Sequence, residues 1–169
     1  MSKSQQNYGL PTCIYQCLFI WKERAFPGMA RWMQKQSAEE TGHAYAIAGY
    51  MIKREATPKV DKVDVVPQGW GNPVEVFEHA LEHEKHVSKL IDELVQVASE
   101  EKDNATQDFL WQFVREQVED EANVLNIVSH LRKAGDCAIL FMDAKLGDRS
   151  DQHRLDLRIF RQIHFHTAG

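Results

Sequence analysis

The sequence predicts an all-α chain, a bundle of four long helices with a long crossover loop and a short fifth helix toward the C-terminal side. Three observations carry this. Apolar residues recur at steps of three and four from about residue 27 to residue 131, the period of one helical face. Start and stop residues cut that stretch into helices longer than most globular ones. One connection, residues 55–72, is too long for a helical hairpin, so two neighbouring helices need not be antiparallel.

The chain has 169 residues, enough for one domain with a real core. Residues 1–147 read as that single domain and residues 148–169 as a disordered tail. The formal net charge is −5 with no basic stripe before the tail. This excludes a dedicated nucleic-acid binder and suits a protein that attracts cations. No apolar run approaches the roughly 20 residues of a membrane span. Residues 9–21 lack the basic flank and small-residue cleavage site of a signal peptide. Cys13, Cys17 and Cys137 form an odd, scattered set, expected of a reducing cytoplasm rather than a disulfide scaffold.

From Pro27, a favourable first helical residue, Met29, Trp32, Met33, Gln36, Glu40, His43, Ile47 and Tyr50 trace one stripe. Lys53 and Arg54 suit its C-terminal end. In residues 55–72, Pro58, Pro67, Gly69 and Gly71 exclude a helix, and Val60, Val63 and Val65 allow a short extended run. The expected task of this loop is to cross the length of a bundle. Asn72 then caps a helix that has Pro73 at its first position. Its stripe is Phe77, Leu81, Glu84, Val87, Ile91, Leu94 and Val97, with Glu84 the single charge. His79, His83 and His86 fall on flanks or subunit contacts. Asn104 or Thr106 opens the next helix, along Phe109, Phe113, Gln117, Asp120, Val124, Ile127 and Leu131. Gly135 is expected to end it, and Ala138 to Leu146 to form the short fifth helix.

Glu40 and His43 lie one turn apart on an otherwise apolar face. Buried charges need partners or a metal. Glu-x-x-His is also the ligand unit of carboxylate-bridged iron sites in four-helix bundles. Alone such a step is a satisfied core pair as readily as a ligand pair. Here Glu84, and then Gln117 and Asp120, interrupt two further stripes at matching depth. A shared cation accounts for all three interruptions. Oxygen-rich ligation with one imidazole suits iron, manganese or zinc.

With those residues in place, the chain from Phe26 to about Arg149 closely resembles bacterial non-haem ferritins. The resemblance rests on Glu-Glu-Thr-Gly-His-Ala (39–44), Val-Pro-Gln-Gly-Trp (66–70), Glu-His-Glu-Lys-His-Val-Ser-Lys (82–89) and Asp-Phe-Leu-Trp-Gln-Phe-Val-Arg-Glu-Gln-Val-Glu (108–119). It implies a ferritin-like bundle assembled as a hollow homo-oligomer of 24 subunits. It implies Fe(II) oxidation by dioxygen or peroxide and storage of ferric mineral. In that frame Glu40 bridges two irons, His43 binds the first and Glu84 the second, with Gln117 beside them. Glu39, Glu116 and Glu119 match a third iron site. Asp120 stands where such proteins have Glu, one methylene longer. Glu-x-x-His occurs once, which separates the chain from bacterioferritin and rubrerythrin.

Residues 1–26 depart from the resemblance. Aligned back from Phe26, Asn7 stands where the first helix supplies a Glu to iron, and Ile14 where it supplies a Tyr. Shifting compatible codons by one base restores Glu and Tyr at those positions, with Trp at position 9. Residues 1–26 are therefore read as out of frame, and the ferroxidase as written as impaired. The alternative is a non-catalytic, structural subunit of a ferritin shell.

Overall fold

A computed structural model describes residues 26–59 and 72–147, and the side chains of 134–138 lie outside that description. The described residues form three helices and no strand: α1 (Pro27–Lys53), α2 (Pro73–Glu100) and α3 (Asn104–Gly147). The expected first helix, most of the crossover and the tail fall outside the described residues.

The starts follow the sequence. Pro27 and Pro73 occupy first turns, and the Asn72 side chain accepts a hydrogen bond from Glu75 N at 3.1 Å. α3 opens at Asn104, one of the two expected starts, and Asp103 before it is the cap, accepting from Thr106 N at 3.1 Å and from its hydroxyl at 2.7 Å. The ends of α1 and α2 are closed by backbone bonds, and at α2 the Gln107 side chain adds a 3.5 Å bond to Ala98 O. Ala56 N reaches Met51 O at 2.9 Å and Asp103 N reaches Ala98 O at 2.8 Å. This closure puts Glu55 (φ 61°) and Lys102 (φ 57°) in the left-handed region.

α3 packs against both α2 and α1. Arg54 at the end of α1 pairs with Asp103 at the end of α2 at 2.8 Å. The start of α1 meets the end of α3, where Arg31 donates to Gly147 O at 2.8 Å. α1 and α2 are therefore parallel, so Glu55 and Asn72 lie toward opposite ends of the bundle, about 40 Å apart, the length of α2.

Two expectations are corrected. Gly135 does not end the third helix, which runs 44 residues through it. One glycine costs a helix about 1 kcal/mol, and the flanking residues include no proline. The helix does bend. Asn123 and Leu146 would lie about 34 Å apart on a straight helix, yet both line one cleft of about 260 Å³ with Trp32. The bend brings Met142 and Leu146 onto the cluster that holds Leu131 and Ile127. The second correction concerns α2. Leu94 and Val97 are 50% and 56% exposed, whereas Ala98 is buried and Val95 half-buried. Steps of three drift around a 3.6-residue helix. Val97 lies about 140° from Glu84, but Ala98 only about 40°.

The core has two apolar levels. Met29, Trp32, Met33, Phe77, Val124 and Leu131 belong to the larger cluster, and Ile91, Leu110 and Phe113 form the smaller. Gln36, Ser37, Glu84 and Gln117 are also buried.

Candidate metal centre

The polar level draws on all three helices. Glu84, on α2, is 1% exposed. Gln117 on α3 donates to Glu84 Oε2 at 3.2 Å and to the Glu84 carbonyl at 3.1 Å. Gln36 on α1 donates to Oε1 at 3.5 Å. Ser88 lies one turn on, bonded to the Glu84 carbonyl and to Glu121. Neutral amides stabilise a carboxylate less than a cation would. Burial first, then the charge of Glu40, raises the Glu84 pKa from 4.5 to about 7.

His43 sits between two carboxylates. Its Nδ1 is 3.8 Å from Glu40 Oε2, and its Nε2 is 3.2 Å from Glu116 Oε2. Interaction with Glu116, then with Glu40, outweighs burial and raises its pKa from 6.5 to about 10. Its ring packs edge-on against Phe113. At neutral pH His43 is therefore an imidazolium held between the two carboxylates.

Two observations fit a cation here. Glu40 is 12% exposed, and its Oε1 is buried with no hydrogen-bond partner among the described residues. Glu116 Oε2 is also buried, and it meets His43 as an ion pair off the line of a hydrogen bond. Orphaned carboxylate oxygens are costly unless something positive reaches them. Among the described residues no group of three or more His, Cys, Asp or Glu converges tightly enough to hold an ion as the side chains stand.

The structure thus brings Glu40, His43, Glu84, Glu116 and Gln117 to the middle of the bundle. Asp120 is half-buried, and its charge contributes to the raised Glu84 pKa. Glu39 is half-buried and Glu119 exposed. Sequence reasoning missed Gln36 and Ser88 as partners of Glu84. Gln36 was legible as a polar residue on the α1 stripe. His79 and His86 are exposed, as expected of flanks, and His83 is half-buried with its pKa lowered by burial.

Comparison with known proteins decides the family. The ferritin-like domain matches residues 15–134. The chain belongs to the ferritin-like family. It is 61% identical to a bacterial non-heme ferritin of Bacteroides fragilis over 131 residues, covering 78% of this chain and 82% of that one. It is 29% identical over 130 residues to a bacterial non-heme ferritin of Staphylococcus aureus, covering 76% and 78%. Among solved structures it resembles an open pore ferritin from Archaeoglobus fulgidus, with a TM-score of 0.79 and 37% identity over 83% of this chain and 88% of that one. This ferritin-like chain shares their helical-bundle fold, and no described helix is long and apolar enough to cross a membrane.

Proposed function

We propose that the chain is an iron-storage ferritin subunit. It oxidises Fe(II) with dioxygen or peroxide at a diiron centre inside one subunit. It stores the ferric product as mineral within a 24-subunit shell. The observation that carries this reading is the orphaned Glu40 Oε1 in a buried level that also holds His43, Glu84 and Glu116.

Iron is the substrate, and the residues divide the work of binding it. Glu40 bridges the two ions, His43 holds the first and Glu84 the second. Gln117 keeps Glu84 oriented. Entry of iron requires His43 to give up its proton and its pairing with Glu116. Glu116 is then free to join Glu39 and Glu119 at a third iron site. Asp120, one methylene shorter than Glu, supplies negative charge beside the second ion. Carboxylates dominate the ligand set, which favours the ferric over the ferrous state.

A second reading, a catalytically impaired or structural subunit of a shell, is favoured by Asn7 and Ile14, neither of which supplies a carboxylate. One experiment separates the two. Fe(II) oxidation is followed against a protein-free control, on material that elutes as a large shell in gel filtration. Oxidation well above the control supports the ferroxidase. Assembly with oxidation at the control rate supports the structural subunit.

A further inference from the structure

Aromatic rings lead from the candidate centre to one tyrosine. His43 meets Phe113 with ring centres 5.4 Å apart, and Phe113 meets Phe109 at 5.3 Å. Phe109 stacks on Tyr50 at 4.0 Å, the planes within 7° of parallel. His43 and Tyr50 lie on one face of α1, about 10 Å apart along its axis.

The far end of this path is arranged for a proton. The Tyr50 hydroxyl lies 2.8 Å from Thr106 Oγ1. Thr106 Oγ1 donates its one proton to Asp103 Oδ2 at 2.7 Å, so toward Tyr50 it acts as acceptor and Tyr50 donates. Arg54 holds the same Asp103 oxygen at 2.8 Å. Asp103 is partly open to solvent. A phenylalanine would stack as well at position 50. The directed relay from its hydroxyl to a solvent-facing carboxylate is more than stacking needs.

We propose that Tyr50 is a redox-active tyrosine. It gives one electron to the iron centre through Phe109, Phe113 and His43, and its phenolic proton to Asp103 by way of Thr106. The proposal rests on the ferroxidase reading. Its use arises when hydrogen peroxide meets a centre that holds a single Fe(II). Cleaving the O–O bond to two waters takes two electrons. Fe(II) supplies one, and with no second donor a hydroxyl radical is released. Tyr50 supplies the other. The balance is Fe(II) + Tyr50–OH + H2O2 + H+ → Fe(III) + Tyr50–O• + 2 H2O. Tyr50's proton leaves through Asp103, and the two oxygens at the centre take up two from solvent, so one is consumed. The next Fe(II), with one proton, reduces the radical back to the phenol.

The test uses the full chain, loaded anaerobically with half-saturating Fe(II), mixed with hydrogen peroxide and freeze-quenched for electron paramagnetic resonance. Wild type should show a tyrosyl radical. Tyr50→Phe should lose it and release severalfold more spin-trapped hydroxyl radical, with Fe(II) binding unchanged. Thr106→Val, which interrupts the proton relay, should lower the radical yield. Tyr45→Phe, at an exposed tyrosine, should change neither readout. If Tyr50→Phe binds iron but gives the same radical and the same spin adduct, Tyr50 is not the donor. If wild type binds no Fe(II), the ferroxidase reading fails and this proposal with it.

Discussion

Replacing Glu84 by glutamine separates what this carboxylate costs the fold from what it contributes to iron binding. Burial holds its pKa at about 7 rather than 4.5. A group raised in this way favours folding most below pH 4.5, while it is protonated and neutral. The advantage is lost as pH rises to about 7, and above that the ionised form carries the full penalty. At about 1.4 kcal/mol per pH unit the penalty is roughly 3 kcal/mol. Glutamine is neutral throughout. It keeps an oxygen for Gln117, and Gln36 can turn its amide to accept. Imperfect geometry should return about 1 kcal/mol. The metal-free Glu84→Gln protein is therefore predicted to be about 2 kcal/mol more stable than wild type at pH 8 and, with the burial penalty gone and the geometric cost left, about 1 kcal/mol less stable below pH 4.5. Urea unfolding at one fixed protomer concentration measures this, since assembly makes stability concentration-dependent. The same variant should bind the second iron more weakly. A stability gap that does not change with pH, or a less stable variant at pH 8, would refute the reasoning.

Three further predictions address other parts of the molecule. A Cβ at Gly28 would lie 1.7 Å from the Asp143 carbonyl oxygen, and backbone cannot give way as a side chain can. Gly28→Ala should undock the end of α3, lose the 2.8 Å bond from Met29 N to Asp143 and cost about 3 kcal/mol, read as a lowered melting temperature. Because His43 is raised to about 10 and Glu84 to about 7, anaerobic Fe(II) binding at pH 7 should release about 1.5 protons per filled centre, and His43→Ala about one fewer. Equal release in weakly buffered titrations would mean that His43 keeps its proton and is not a ligand. If residues 1–26 are out of frame, resequencing the gene should find an inserted or missing base near the codons for Phe26 to Gly28. The shifted-frame protein should then oxidise Fe(II) faster; a continuous frame with equal rates would count against the idea.

Much of the described fold was legible because its signals are local. Pro27, Asn72 and Pro73 mark helix starts through their own backbone chemistry, and the α3 stripe from Phe113 to Leu131 keeps a true 3.6 period. Leu94 and Val97 misled because both are apolar and each step of three is permitted; only the accumulated angle excludes them. Gly135 misled because a glycine that bends a helix and one that ends it look alike in sequence. The contacts of Met142 and Leu146 with the core, which decide between the two, are long-range. At the site, Glu40, His43, Glu84 and Gln117 were readable as polar breaks in apolar stripes. Pairing of His43 with Glu116 was not, since it depends on how α1 and α3 face each other. Nor was the Tyr50–Thr106–Asp103 relay, whose parts lie on two helix ends and a turn.

Anaerobic Fe(II) titration of the metal-free protein and of Glu40→Ala, counting ions bound per subunit, tests the central claim most directly. Glu40 is proposed to touch both irons, so its loss should weaken both and lower the tight stoichiometry. Glu84→Ala should weaken the second ion and His43→Ala the first. Equal stoichiometry and affinity in wild type and Glu40→Ala would contradict a diiron centre at this level of the bundle.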